Sequence, residues 1–305
     1  MGSKSNLYMS DSKAWLNMLR ISNSPTVVSN IMVGVAIAIQ SHHEQWSHKF
    51  TPPPLQLIKP LFLITLILLM LYFAGMILND AFDAKRDKEN RPDRPIPQGV
   101  ITARQAWVTG FILLMSAVLM AIGIGVSTVL ATSVLAITII LYTFLHNHTI
   151  AGIFLMALCR GLVYITAVTA FSTPYTFVLL IFFISIMIYT SLLTYVGSFE
   201  NNHHSPPSWV VWLALFPSLV PVIIFGHDSP IAWLAFLAFS GWMFFAWYNF
   251  RNSNSGSISG MHKLLSGFAL LDCVLIASLG EYFIMITSAF CFVLTVAAHR
   301  KILGT

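Results

Sequence analysis

Apolar residues run along this chain in long blocks separated by short polar links. A hydrocarbon layer about 30 Å thick takes roughly 17–25 apolar residues in helical form, so blocks of that length ended by charge, Gly, Pro or Asn predict membrane-crossing helices. Eight are predicted, over residues 26–40, 57–79, 106–125, 128–145, 150–171, 176–196, 209–225 and 231–250. The first is short and is extended by Ser24-Pro25, where proline suits the first helical turn. Beyond the polar link RNSNSGSISG, residues 261–298 exceed one ordinary span and hold Gly280-Glu281 near their middle, which predicts either one span with an interfacial helix or two short spans. The fold class is therefore all-α: a polytopic membrane bundle of about nine helices, or ten if the last block divides, forming one domain over residues 1–305.

Composition supports this. Of 305 residues, 57% are hydrophobic and 9% charged, with a mean hydropathy of +0.78. A water-soluble domain carries about 25% charged residues, so a bilayer is the fitting solvent. The net charge of +5 comes from basic residues lying between apolar blocks, without the exposed aromatics a nucleic-acid binder interleaves with them. They read as topology signals. With Lys4, Lys13 and Arg20 on the cytoplasmic side, the second helix returns to that side and delivers Lys85, Arg86, Lys88, Arg91 and Arg94 there, as the positive-inside rule asks. The same count brings Arg300 and Lys301 to that side if there are ten spans. The three cysteines, Cys159, Cys273 and Cys291, lie in apolar blocks without C-x-x-C spacing and read as buried small hydrophobes. The first 25 residues are polar and lack the short apolar region of a signal peptide.

Charge is concentrated in one stretch, NDAFDAKRDKENRPDRPIPQG, which holds five of the eleven acidic and five of the sixteen basic residues. Residues four apart share a helix face, so Asn79, Asp83 and Asp87 form a stripe with Asp80 beside it. Stacked carboxylates repel unless a cation neutralises them, and Asp and Asn oxygens suit a hard ion such as magnesium, which shares its shell with phosphate oxygens. Arg91 and Arg94 follow in a proline-stiffened loop, and guanidinium groups are forked donors to phosphate. Such a stretch is a metal clamp followed by an anion clamp, or else a loop whose mixed charges pair with one another.

The order of residues resembles the first aspartate-rich motif of the UbiA superfamily of intramembrane prenyltransferases, N-D-x-x-D-x-x-x-D with an R-P-x-x-P-I-P tail. It is met by Asn79, Asp80, Asp83 and Asp87, then by Asn90, Arg91, Arg94, Pro95, Pro97 and Gly99. The resemblance implies a bundle around a lipid-facing cavity, where Mg2+ holds a prenyl diphosphate and an allylic cation is captured by a lipophilic, aromatic acceptor. It implies metal ligands at Asn79, Asp80, Asp83 and Asp87, with Asp83, Asp87 and Arg160 in the catalytic machinery. The sequence departs from the family at the second motif, SLLTYVGSFENNHHSPP, where Glu200 is the sole acid and the candidate ligand. With fewer carboxylates a second metal binds weakly. Where relatives carry Tyr, three residues, then Lys, this chain has Tyr142 and His146, and His donates to phosphate with full charge only when its pKa is raised.

Arg160 lies inside an apolar block, and an intramembrane arginine has a substrate or a partner, expected here among the first-motif carboxylates, the substrate phosphate, Glu200 or a helix carbonyl. Its context CRGLVYITA is similar to EboC-type UbiA-like proteins. Asn30 matches an asparagine of the family's cavity and is expected to bind substrate or to bond across helices. Asp272 and Glu281 need a polar neighbour or an interfacial position. Two further functions are consistent with these residues: a terpene cyclase using the first motif without an acceptor, and a non-catalytic carrier of an isoprenoid or pigment precursor.

Overall fold

The computed structural model describes residues 11–49, 54–147, 149–174, 176–199, 206–252 and 256–301, all of them helical or in short turns. The helices are α1 (Asp11–Met18), α2 (Ser24–Lys49), α3 (Pro54–Asn90), α4 (Ala103–Ala121), α5 (Val126–Leu145), α6 (Thr149–Thr169), α7 (Phe177–Gly197), α8 (Trp209–Leu213), α9 (Phe216–Phe225), α10 (Pro230–Asn252), α11 (Gly256–Ser278) and α12 (Tyr282–Lys301). Nine of them are long and apolar enough to cross a membrane among the described residues.

Two expectations change, and for residues 261–298 the alternative of two spans is the one seen. The second predicted helix does not end where its apolar block ends: α3 runs on to Asn90, so the aspartate stripe is carried on a continuous helix. Residues 261–298 divide into α11 and α12 at Gly280, whose φ of 79° is a left-handed conformation that glycine adopts without strain. The block at 209–225 breaks into α8 and α9, with Pro217 at the start of the second piece. Proline lacks the N–H that would continue the hydrogen-bond ladder, so the break falls there.

The broken block still runs the full height of the bundle. At one end Trp209 stacks on Tyr195 and Ser208 accepts from Arg251. At the other, Phe225 packs edge-on against Phe177 and Phe182, while Gly226 abuts Ser278. Among the described residues ten segments therefore run from one end of the bundle to the other, the nine long apolar helices and, as the tenth, α8 with α9. His299 of α12 meets Asn23, just ahead of α2, at 2.7 Å.

Two apolar cores share α2 and α6. One joins them to α3, α4 and α5, and the other to α7 through α11. In lipid, helices associate by close packing of small residues rather than by escape from water. At Gly34 of α2 a Cβ would lie 2.6 Å from the Cβ of Ala167 in α6, so glycine is required for these helices to touch. Large apolar side chains such as Phe111, Ile112, Met115 and Leu119 remain exposed along α4. A patch of that kind would drive aggregation in water and is the lipid-facing side of a membrane bundle.

Candidate functional site

The turn between α3 and α4 builds the site. Thr102 caps α4 reciprocally with Gln105: its hydroxyl accepts from the Gln105 N–H at 3.2 Å, and Gln105 Oε1 accepts from the Thr102 N–H at 2.8 Å. Upstream, backbone bonds from Gln98 N to Arg94 O and from Val100 N to Pro95 O close the proline-rich segment into a compact turn. That folds Arg94 back over the last turns of α3. Its Nη1 donates to Asp87 Oδ2 at 2.7 Å and to Asp80 Oδ1 at 3.3 Å.

A second cation arrives from the other side. Arg20, one of two non-glycine residues with positive φ among those described, reaches Asp80 Oδ1 from Nη2 at 3.4 Å. Its carbonyl accepts from the Tyr72 hydroxyl at 3.0 Å. The third comes from the end of α5, where His146 Nε2 lies 3.1 and 3.2 Å from the two oxygens of Asp83. Asp80, Asp83, Asp87 and Arg94 are each at most 7% exposed, so these charges stand where leaving any unpaired would be costly.

Both ring nitrogens of His146 face acceptors, since Nδ1 lies 2.9 Å from the Thr143 carbonyl. The Asp83 hydrogen bond, more than any other influence, holds this imidazole above its ordinary value. A raised histidine pKa stabilises the fold fully below the unfolded value of about 6.5, and the contribution fades as pH rises through the folded value. In metal-free protein the His146 ring is expected to titrate above 6.5 and to move back toward it in Asp83→Asn, as read by NMR. An unchanged titration in that variant would show that the contact does not set it.

Directly beneath the charges is an apolar cavity between α2, α3, α5 and α6. Leu68, Gly75, Met76, Ile139 and Val163 line it, with Tyr72, Tyr142 and Arg160 as its polar contributions. Gly75 and Met76 lie one helical turn below Asn79 and Asp80, and Tyr142 one turn below His146. Asn79 and Asp80 therefore stand at the rim of the cavity, about 6 Å along α3 from its wall, with Asp83 and Asp87 one and two turns farther out.

Magnesium would need hard oxygen donors here. Among the described residues no three Asp, Glu, His or Cys side chains converge enough to cage a metal by themselves. Magnesium is seldom caged, however, and is ordinarily held by one or two carboxylates, waters and substrate phosphate. Asn79 Oδ1 is buried without a hydrogen-bond partner, an orphaned acceptor beside the aspartates that a cation would satisfy. The donor set fits on that basis. Glu200 lies outside the described residues, so the second-motif ligand has no assigned place.

The expected site residues thus divide. Asn79, Asp80, Asp83, Asp87, Arg94 and His146 come together at the rim, and Tyr142 and Arg160 line the cavity. Arg91 is exposed at the end of α3. One expectation is corrected, and for Asn30 the cross-helix alternative is the one seen. Arg94 is not a free phosphate fork, because the turn lays it on the carboxylates themselves. Asn30 is wholly buried between helices: its Oδ1 accepts from Arg160 Nη1 at 2.8 Å and its Nδ2 donates to Asp272 at 2.8 Å, which spends it on the protein rather than on substrate. Arg160 likewise has its partners in Asn30 and Thr26, not in the first-motif carboxylates. Arg20 went unrecognised as a site residue because its charge served as a topology signal. Its place four residues ahead of Ser24, at the entry to the first apolar block, is the available clue.

The UbiA prenyltransferase family profile matches residues 27–267. A digeranylgeranylglyceryl phosphate synthase of Pyrococcus horikoshii is 41% identical over 76 residues, 24% of this chain and 27% of the relative. The enzyme of the same name from Sulfolobus acidocaldarius is 29% identical over 158 residues, 49% of this chain and 50% of its own. The chain thus spans half or less of the length of these curated relatives. A solved structure of a UbiA homologue from Archaeoglobus fulgidus bound to GPP and Mg2+ superposes with a TM-score of 0.59 at 13% identity, over 90% of this chain and 99% of the homologue.

Proposed function

The chain belongs to the UbiA prenyltransferase family, and on that footing we propose that it moves an isoprenyl group from a prenyl diphosphate to a hydroxyl-bearing lipid, with Mg2+ held at Asn79, Asp80, Asp83 and Asp87. The observation that carries this reading is the carboxylate rim with an orphaned Asn79 oxygen, set directly over an apolar cavity. Magnesium, when bound, supplies charge neutralisation for the diphosphate that departs.

The chain's own residues account for the rest. Arg94 and Arg20 hold the aspartates in register and stand within reach of a diphosphate seated at the rim. His146 holds Asp83 in the same way from the end of α5. Cavity residues Leu68, Met76, Ile139 and Val163 take the isoprenyl tail and exclude the water that would capture an allylic cation. The bond between the allylic carbon and the diphosphate oxygen breaks with its electrons leaving on the diphosphate. The acceptor oxygen then forms the new carbon–oxygen bond and gives up its proton to balance the released anion.

The acceptor is taken to be of the glyceryl phosphate type, for which the relatives are named, in place of the aromatic ring implied by the sequence resemblance. The charged rim is placed on the cytoplasmic side, supported by Lys85, Arg86, Lys88 and Arg94 at that end of the bundle. Purified protein given labelled geranylgeranyl diphosphate, Mg2+ and a prenylglyceryl phosphate is expected to release diphosphate and form a doubly prenylated lipid. A terpene alcohol or hydrocarbon formed without acceptor would mark a cyclase, and tight retention of the diphosphate without turnover a carrier. Either outcome overturns the transferase.

A further inference from the structure

Arg160 is 9% exposed, lies well inside α6, and forms no salt bridge with any described residue. Its guanidinium donates to Asn30 Oδ1 at 2.8 Å and Thr26 Oγ1 at 3.2 Å, and rests over the Phe268 ring at 4.5 Å. Those two hydrogen bonds engage two of its five N–H groups, both with neutral acceptors. The nearest anion in the network, Asp272, is a further step away. It accepts from Asn30, Ser29 and Tyr164 and is wholly buried between α2, α6 and α11. Asn30 therefore separates cation from anion, and Arg160 is among the residues that line the cavity.

An arginine kept in an apolar enclosure without a direct carboxylate is costly unless something else meets its charge. The network explains how it is held: Thr26 and Asn30 grip one side and Phe268 carries the plane. It does not explain why a largely apolar cavity should have an arginine among its lining residues. Tyr142 lines the same cavity and adds a phenolic donor. At the rim Arg20, Arg94 and His146 are already engaged with the carboxylates, so the cation below them stands apart from that cluster.

We propose that Arg160 is an anion-binding position inside the cavity that receives a phosphate monoester on the acceptor lipid, separate from the diphosphate position at the rim. This rests on the prenyl-transfer reading for its ligand, because a glyceryl phosphate acceptor brings such a phosphate and a neutral acceptor does not. Arg160 selects the acceptor by charge, with Asn30 and Asp272 as positioning residues behind it. The alternative source of the same phosphate chemistry is the prenyl diphosphate itself.

Binding, measured without magnesium on the full chain in nanodiscs, separates the two. The probes are geranylgeranylglyceryl phosphate, its dephosphorylated alcohol and geranylgeranyl diphosphate. Wild type is expected to hold the phosphate roughly tenfold or more tightly than the alcohol, as suits a charge-assisted bidentate contact. Arg160→Gln should erase that preference while changing diphosphate affinity little. Arg160→Lys should retain part of it. Equal affinity of wild type for phosphate and alcohol overturns the proposal, as does an Arg160→Gln protein that keeps the preference but loses the diphosphate. A wild type that prefers the phosphate yet forms no product would overturn the transferase reading and leave this position standing.

Discussion

Asp83→Asn is expected to lower prenyl transfer by roughly 100- to 1000-fold at saturating substrate, the range seen when one preorganised electrostatic contact to a departing anion is removed. Asparagine keeps the shape of the side chain and can still accept from His146, so the fold should tolerate it. The loss is one negative oxygen at the middle of the stripe, between Asn79 and Asp87, where a cation would draw the diphosphate. Diphosphate release is the direct readout. Excess magnesium should recover part of the rate if the variant mainly weakens metal binding, and none if Asp83 also orients the leaving group. Full turnover in Asp83→Asn would remove the carboxylate stripe from the mechanism.

Asp272→Ala is expected to cost about 3 kcal/mol of stability. Ordinary interhelical hydrogen bonds in membranes average about 0.6 kcal/mol, and bonds to a charged group contribute about 1.5–3. Asp272 accepts from Ser29, Asn30 and Tyr164, and its removal strands the Asn30 and Tyr164 donors in a dry interface while Ser29 still has the Thr26 carbonyl at 3.0 Å. Asp272→Asn should lose less, since one oxygen remains to accept. Unfolding in detergent followed by helicity is the measurement, and a change under about 0.5 kcal/mol would show that the network relaxes around the loss. In both variants Arg160 loses its distant counter-charge, so weaker order of its side chain should accompany the fall in stability.

Much of this architecture was legible in the order of residues, and the places where it was not share a cause. Hydropathy finds where a helix meets lipid, not where it stops, so α3 was cut short at residue 79 although its backbone continues through the stripe to Asn90. The i, i+4 spacing of Asn79, Asp83 and Asp87 nonetheless put the correct side chains together, because that relation is local. Arg94 lies on Asp87 only because a proline-closed turn reverses direction, a relation that spacing along the chain does not encode. Asp272 is harder still: its partners are 108 to 243 positions away. What sequence did contain was the demand itself, an acid, an asparagine and an arginine each alone in an apolar block, with no means of matching them.

An even number of passes returns the polypeptide to the side from which it set out. Reporters fused ahead of α1 and after α12 should therefore light up in the same compartment, and one placed in the short turn after Phe225 in the opposite one. If the proline-broken segment merely dipped in and came back, the first two would disagree.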